Sequence, residues 1–540
     1  MSTICGIVLS ILLTSQAEPV PIVPPVNPEP AEARLPAVEP ELPPGPPGPP
    51  GPAPNEPPLA PEEKETIQAA RALGADIGVW KDGRAKDVYL NTWTASVASP
   101  ADTDKLLDTV SHLSHVEMLR SRPTLLRYSD RGLACLARLR NLKAAEICAP
   151  KITDDGLKAL AALEKLESLT LGGNVRGPGL KYLAGLQNLR ELNIISTYVD
   201  NEGLKYMPAL TALTTLWLGD KINSEGLAPL GKLAGLESLH LRADINDTGL
   251  KHLAPLKNLR SVGLCGATDA GMRFLREMTS LQRVGFTDCK ISDAGLAELA
   301  RCPNLIAIDL CKHPVGDQGL ANLSGLPHLQ RLDLGSTKIT DAGLASLERM
   351  TQLDQLRLDD TAVGDAGLAH VAALPRLCDL GLCSTRVTDD GLRHLEKMRG
   401  LTRLQLGGTR ITDAGLRHLG NMPQLACLLL NGTRITDAGL KELAGLPELQ
   451  DLCLERTAVT DDGLWHLKGM AKLSSLDLGN TGITDQGLKN LPKTLRWVSL
   501  TGTKVTPFGA KRLKKRIRGC SVQIEFRGGS PEEPAGPPVP

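Results

Sequence analysis

Apolar and polar residues alternate in a unit that returns every 24 residues over more than half of this chain. Residues 329–344 give the clearest copy, with leucines at the first, fourth and sixth positions. Within that copy, Leu332, Asp333 and Leu334 predict a short strand, because successive side chains of a strand point to opposite faces. The leucines are expected in the core and the aspartate on the surface. Apolar residues at three-residue spacing follow and predict a short helix packed behind the strand.

A Gly-Leu pair, once Gly-Met, marks the start of each predicted helix. Glycine is a poor helix former in this first turn, so its return in every unit predicts close packing against a neighbouring unit. All spacings from Gly271 to Gly487 are 24 residues, whereas the earlier ones vary between 22 and 24. Since a repeat array can extend one core continuously, we expect a single solenoid. The sixteen anchors are Gly132, Gly156, Gly179, Gly203, Gly226, Gly249, Gly271, Gly295, Gly319, Gly343, Gly367, Gly391, Gly415, Gly439, Gly463 and Gly487.

The ends of the chain differ from the repeats in composition. An apolar run followed by small residues predicts a signal peptide, and a proline-dense stretch predicts a disordered spacer. Two degenerate units, with strand cores at residues 88–90 and 116–118, are expected beside an N-terminal cap. The basic run at residues 511–518 is interpreted as the solvated face of the final helix. The predicted organisation is residues 1–17 signal peptide, 18–61 spacer, 62–121 N-terminal cap and degenerate repeats, 122–526 solenoid with C-terminal cap, and 527–540 disordered tail.

Residues 88–525 resemble a ribonuclease-inhibitor-type leucine-rich-repeat array, in which the motif LxxLxLxxN is repeated. Here threonine stands at the asparagine position. The recurring phrase ITDxGL is similar to bacterial leucine-rich-repeat proteins and to the repeat region of F-box leucine-rich-repeat proteins. The resemblance implies an α/β solenoid shaped as a horseshoe, with a parallel β-sheet on its concave face, helices on its convex face and caps at both ends. It also implies a scaffold that binds other proteins.

The F-box branch often has cysteine where this chain has threonine, and only Cys289 keeps cysteine at that position. A leader, a spacer and a short cap occupy the sequence before the array, so no F-box is visible there. A substrate-recognition adaptor of the F-box type is therefore the less favoured alternative, and the exported bacterial type is the closer match. The threonines are Thr337, Thr361, Thr385, Thr409, Thr433, Thr457 and Thr481.

Composition and motifs give no indication of an enzyme. The formal net charge is zero, so no bulk attraction to nucleic acid is expected. The chain lacks HExxH and GxSxG motifs, and recurring acidic residues such as Asp341 are accounted for as helix caps, with either Thr340 or Asp341 expected to supply the capping oxygen. Histidines recur at one helix position, as in His370 and His394, but neighbouring helices are too far apart for them to share a zinc ion. We therefore expect no catalytic residue, no cofactor and no metal.

The predicted binding surface lies on the concave face in the first half of the array. Outward strand positions there carry larger and more varied side chains than those of the second half, and Trp and Arg are enriched in binding hot spots. The expected partner is a protein or a peptide. A passive structural or envelope-spacing role is the alternative from another class, because many later outward positions are small or singly charged. The residues expected to contact a partner are Glu191, Asn193, Trp217, His240 and Arg242.

Cysteine usage and the leader point to different compartments. The leader favours export to the periplasm or the cell surface. Twelve cysteines without a CxxC pair or a regular framework favour a reducing compartment, so a cytoplasmic location is the alternative. We expect a monomer, no contact with nucleic acid and no transmembrane segment, since the apolar run of the leader is too short to span a bilayer.

Overall fold

The computed structural model describes residues 61–80, 83–90, 100–121 and 128–524. All of them lie in the larger of two compact units, Pro58–Pro540. The predicted signal peptide, the C-terminal tail and nearly all of the predicted spacer lie outside the described residues, so these three assignments stay predictions.

One sheet of twenty strands runs through the described residues. The first two strands form an antiparallel hairpin, and from β2 onward every strand pairs in parallel with the strand of the following repeat. The predicted parallel sheet is therefore confirmed. The strands are β1 (Ala75–Val79), β2 (Ala85–Leu90), β3 (Met118–Ser121), β4 (Ala144–Cys148), β5 (Ser168–Gly172), β6 (Glu191–Ser196), β7 (Thr215–Leu218), β8 (Ser238–Leu241), β9 (Ser261–Cys265), β10 (Arg283–Thr287), β11 (Ala307–Asp309), β12 (Arg331–Asp333), β13 (Gln355–Arg357), β14 (Asp379–Gly381), β15 (Arg403–Gln405), β16 (Cys427–Leu429), β17 (Asp451–Cys453), β18 (Ser475–Asp477), β19 (Trp497–Ser499) and β20 (Ser521–Gln523).

Short helices connect consecutive strands of the sheet, which gives the predicted α/β solenoid. The α-helices are Pro61–Ala72, Pro100–Val110, Asp130–Cys135, Asn201–Leu204, Asp247–Leu253, Asp269–Leu275, Asp293–Leu299, Asp317–Leu323, Asp341–Leu344, Asp365–Val371, Asp389–Leu395, Asp413–Leu416, Asp437–Leu443, Leu464–Leu467 and Pro507–Arg516. The 3-10 helices are Leu136–Arg138, Gly156–Ala162, Pro178–Leu183, Met207–Ala209, Ser224–Lys232, Ala345–Arg349 and Gly487–Asn490.

The core lies between the sheet and the helices and consists mainly of leucine. In a regular repeat, Leu332 enters the core from the strand, Leu334 from the residue after it and Leu344 from the helix, and all three are buried. Parallel register aligns equivalent residues, so that Leu332 lies beside Leu356 of the next strand. One continuous apolar core therefore runs through the array, as expected for stacked repeats.

A threonine closes the turn after most strands of the regular half. Thr337 is buried, and its hydroxyl donates a hydrogen bond to the Leu334 carbonyl oxygen at 2.6 Å. Because a buried hydroxyl without a partner is costly, this bond explains why threonine is accommodated at the turn. The same bond recurs at Thr361, Thr385, Thr409, Thr433, Thr457 and Thr481.

A carboxylate joins each regular repeat to the next. Asp317, the first residue of its helix, accepts hydrogen bonds from the Thr340 backbone N–H at 2.8 Å and from the Thr340 hydroxyl at 2.6 Å. Thr340 is the N-cap residue of the helix of the following repeat. Of the two residues expected to supply a capping oxygen, the aspartate does not cap its own helix, since Asp341 likewise accepts the N–H of Gly364 one repeat later. The threonine alternative is found in other repeats, where Thr412 accepts the Ala414 N–H at 3.3 Å.

From Gly271 to Gly487, the anchor glycine of each repeat lies against the aspartate of the preceding repeat. A Cβ atom at Gly367 would lie 2.5 Å from Asp341 Oδ1 and 2.7 Å from Leu344 Cδ1. Any larger residue would therefore require its neighbours to shift. The predicted close packing of this glycine against a neighbouring repeat is confirmed, and the neighbour is a carboxylate.

Elements at the two ends depart from the regular unit. The helix Pro61–Ala72 and the β1–β2 hairpin precede the repeats, and the helix Pro507–Arg516 and β20 follow them. The strand core expected at residues 116–118 is displaced, because β3 begins at Met118 and its Leu119 pairs with Val88. Val116 is buried just before this strand. It occupies the place of the first leucine of the unit rather than a strand position.

Candidate functional site

The concave face of the sheet presents the side chains that lie between the buried leucines. One row crosses β5 to β9 at a single register position, because each member is the direct partner of the next on the neighbouring strand. Parallel strands lie about 4.8 Å apart, so neighbours in the row can touch. The row consists of Thr170, Asn193, Trp217, His240 and Gly263.

Two rings in this row are stacked. The centroids of Trp217 and His240 lie 5.4 Å apart, with the ring planes inclined by 15°. His240 is 9% exposed, and its Nε2 lies 3.0 Å from the Ser238 hydroxyl. Burial lowers the pKa of His240 to about 4, and the charge of Arg283 contributes to the shift. The imidazole is therefore neutral at pH 7 and supports one face of a half-buried indole.

The other predicted contact residues surround this stack. Asn193 is half-buried, and its Oδ1 accepts the Ile195 backbone N–H at 3.1 Å. Glu191 is exposed two residues before Asn193 on β6 and accepts a hydrogen bond from the Ser168 hydroxyl at 3.0 Å. Arg242 is exposed and follows β8 directly. The structure thus brings Asn193 and Trp217 into direct register, with one charged residue on each side along the strands.

His240 is more buried than we expected for a residue that contacts a partner. Its neighbour Trp217 and its own position in the sheet leave little of the ring accessible. The sequence alternation correctly placed the side chain on the concave face. Its ring is stacked on the larger indole of the neighbouring strand and is mostly buried, so His240 offers a partner little surface of its own.

Further along the same register row, two aspartates lie side by side. Asp309 on β11 is the direct partner of Asp333 on β12. Burial raises the pKa of Asp333 to about 7, and the adjacent Asp309 carboxylate adds to the shift. Burial also raises the pKa of Asp309. Sequence reasoning treated Asp333 as an ordinary surface residue, although an aspartate between two apolar residues in consecutive units was the available signal.

A buried ion pair lies next to these acids. Arg357 on β13 donates a hydrogen bond to Asp379 Oδ2 at 2.9 Å, and both side chains are mostly buried. Burial raises the pKa of Asp379, while the charges of Arg357 and Arg403 oppose that shift. This part of the concave face is therefore a charged network, in contrast to the aromatic row on β7 and β8.

Neither a metal-binding group of three or more side chains nor a disulfide is found in the part of the chain that the structure describes. No group of three or more His, Cys, Asp or Glu residues is arranged there to hold a metal ion. The eleven described cysteines are all free. The recurring helix histidine contacts the preceding repeat instead, since His370 Nδ1 lies 2.8 Å from Glu348 Oε1.

The family model for the leucine-rich repeat matches residues 325–347 and 469–491. Both segments contain the threonine and the glycine anchor whose contacts are described above. These segments of the chain are leucine-rich repeats. No curated protein sequence matches this leucine-rich-repeat chain significantly.

Solved structures similar to this leucine-rich-repeat protein include two from bacteria. An internalin from Listeria monocytogenes has 23% sequence identity and a TM-score of 0.47, and the match covers 60% of this chain and 93% of the internalin chain. A leucine-rich-repeat protein from Leptospira interrogans has 20% identity and a TM-score of 0.43, with 74% of this chain and 95% of that chain covered.

Among the described residues, none of the helices has the length and apolar character needed to cross a membrane.

Proposed function

We propose that this protein is a non-enzymatic scaffold that binds a protein or a peptide on the concave face of its array, around Trp217. The proposed contact residues are Glu191, Asn193, Trp217 and Arg242, and His240 holds the indole in place. In this proposal the partner lies across β6 to β8, and the scaffold acts as a single chain.

The stack of Trp217 on His240 is the observation that carries the proposal. A neutral imidazole 5.4 Å away supports the indole, so binding a partner costs little side-chain entropy at this position. Trp is among the residue types most enriched in binding hot spots. A supported, half-buried indole on an open sheet face offers a large contact area with one ring face already packed.

Charged residues on both sides of the aromatic row fit the anatomy of an interface. Glu191 lies two residues before the row and Arg242 two residues after it, so each is about 7 Å from the row along its strand. Both side chains are exposed. An apolar centre with a polar rim of opposite charges favours one orientation of an extended partner.

A defined double substitution tests the proposal once a partner has been isolated with the full chain. Trp217→Ala combined with Arg242→Glu should weaken binding at least about tenfold, which corresponds to about 1.4 kcal/mol. The measurement is isothermal titration calorimetry, with circular dichroism to check the fold. The matched control is Trp465→Ala with Arg434→Glu, because Trp465 is 60% exposed on a helix and Arg434 is also exposed.

The control should bind like the unchanged protein. Equal losses in the two double variants, or no loss in either, would place the binding surface away from β6 to β8. If the full chain retains no partner at all, a passive structural role becomes the better explanation.

A further inference from the structure

Positive charge is concentrated at the C-terminal end of the array. Between Asp485 and Glu525 the sequence contains ten Lys or Arg residues and no Asp or Glu, although the formal net charge of the whole chain is zero. Six of these ten cations fall within residues 511–518. Such asymmetry within a neutral chain indicates a local electrostatic contact surface rather than a general requirement for solubility.

The final helix, Pro507–Arg516, separates its apolar and cationic residues onto two faces. Ala510 and Leu513 are buried on the inner face, and Ile517 continues it beyond the helix end. Residues three and four positions apart share one face of a helix. The outer face follows that spacing, and its four residues are all exposed: Phe508, Lys511, Arg512 and Lys515.

The cations of the outer face form no side-chain hydrogen bond or ion pair with a described residue. Arg516 differs from them, because it donates hydrogen bonds to the carbonyl oxygens of Leu488 and Lys489 at 2.6 and 3.0 Å. By contrast, neither Lys511 nor Lys515 forms an ion pair with a described residue. Helix C-terminal cations are stabilised by the helix dipole, but this effect fades beyond the last turn and does not account for Lys511.

Phe508 is the apolar residue of this otherwise basic outer face. Its side chain is 67% exposed, the highest value among the large hydrophobic residues that the structure describes. The Arg512 guanidinium lies 5.9 Å from the centroid of its ring. A helix face that combines an aromatic residue with several Lys and Arg residues suits the boundary between lipid headgroups and acyl chains.

We infer that this outer face, Phe508, Lys511, Arg512 and Lys515, is a contact surface for an anionic lipid bilayer. The three cations meet the negatively charged headgroups, and the Phe508 ring enters the headgroup boundary beside them. Nucleic acid fits this face less well, because binding of single strands relies on several aromatic side chains for stacking and this face has one. The inference is independent of the proposed function, since the concave face takes no part in it.

Vesicle co-sedimentation of the full chain tests this inference. The vesicles contain phosphatidylcholine alone or phosphatidylcholine with about a third of phosphatidylglycerol, in 0.1 M salt. Binding is expected to the anionic vesicles and not to the neutral ones. Raising the salt to 0.5 M should release most of the protein, because the Debye screening length shortens as the salt concentration rises and the attraction between surface charges weakens.

A charge-reversal variant and a matched control locate the surface. Lys511→Glu/Arg512→Glu/Lys515→Glu should reduce partitioning to anionic vesicles at least about tenfold. Lys338→Glu/Arg386→Glu/Arg434→Glu makes the same change in net charge at three other exposed cations and should leave partitioning within about twofold. Phe508→Ser, which keeps every charge, should reduce partitioning about threefold or more.

Three results would overturn the inference. The first is failure of the unchanged protein to bind anionic vesicles in 0.1 M salt. The second is an equal loss in the two charge-reversed variants, which would indicate a bulk charge effect. The third is tight binding to single-stranded DNA or to polyglutamate without binding to vesicles, which would assign the face to another class of anionic partner.

Discussion

Asp389 accepts two hydrogen bonds from Thr412 of the following repeat, one from the backbone N–H at 2.8 Å and one from the hydroxyl at 2.6 Å. The next residue, Asp390, has a side chain that is 76% exposed and lies 3.3 Å from Arg393 of its own helix. Two adjacent aspartates therefore have different roles. Asp389 joins two repeats, whereas Asp390 lies in solvent beside an arginine one turn along.

This difference predicts unequal effects of the same substitution. Asp389→Ala removes the acceptor of two hydrogen bonds at a repeat junction and should lower the free energy of unfolding by about 1 to 3 kcal/mol. Asp390→Ala removes an exposed ion pair and should change it by no more than about 0.5 kcal/mol. Urea unfolding of the two variants checks the prediction. Similar losses in both would show that the junction bonds contribute nothing specific.

The anchor glycine predicts that a better helix former is destabilising. Alanine is favoured over glycine in a helix by about 1 kcal/mol, so propensity alone would make Gly367→Ala stabilising. Because the added Cβ would lie 2.5 Å from Asp341 Oδ1, we expect instead a loss of about 1 to 3 kcal/mol in the free energy of unfolding. Gly325→Ala is the control, since no atom lies within 4 Å of its added Cβ. Chemical denaturation should separate the two variants, and a stabilised Gly367→Ala would contradict the packing argument.

The C-terminal elements predict a cost of truncation. Removing residues 505–540 deletes Leu513 and Ile517, which are buried against the last repeat. The exposed leucines of that repeat should cause aggregation or a clearly lower melting temperature in calorimetry. Removing residues 527–540 alone should change little. If the longer truncation melts like the intact protein, these elements do not act as a cap.

The paired aspartates of the concave face predict a pH dependence of stability. The pKa of Asp333 is about 7 in the folded protein and about 3.9 in an unfolded chain, so the folded state binds this proton more tightly. The contribution of the Asp333 side chain to the free energy of unfolding is therefore greatest below about pH 4, and it is lost as the pH rises to about 7. Asp333→Asn cannot ionise and keeps an oxygen for the Gly335 N–H. It should raise the free energy of unfolding at pH 8 by about 1 to 3 kcal/mol and change it little near pH 4.

Asp477→Asn is the matched control for this effect. Asp477 holds the same position in its repeat and accepts the Gly479 N–H at 2.9 Å. Its strand neighbours in the row are Cys453 and Ser499, and neither of them is a carboxylate. Denaturant unfolding at both pH values should show a small change for this variant. If Asp477→Asn raised the free energy of unfolding at pH 8 as much as Asp333→Asn does, the neighbouring Asp309 would not be the cause of the effect at Asp333.

The repeat period made most of the fold predictable from the sequence. Leucines at fixed positions within 24 residues require one strand and one buried face per unit, and parallel pairing of Leu332 with Leu356 follows from that regularity. Prediction from the repeat period was wrong where the unit is degenerate. At β3, two apolar residues, Val116 and Leu119, could each begin the strand core, and alternation does not choose between them.

The candidate site was predictable in its position but not in its packing. Alternation within a strand places Asn193, Trp217 and His240 on one face, and sequence order places them on neighbouring strands. The alternation does not predict how closely neighbouring side chains pack, and so it did not predict that His240 would be stacked on Trp217 and 9% exposed. The same holds for Asp389, because its acceptor role depends on a threonine 23 residues away. Local pattern sets which face a side chain occupies, whereas contacts between repeats set its burial, its partner and its pKa.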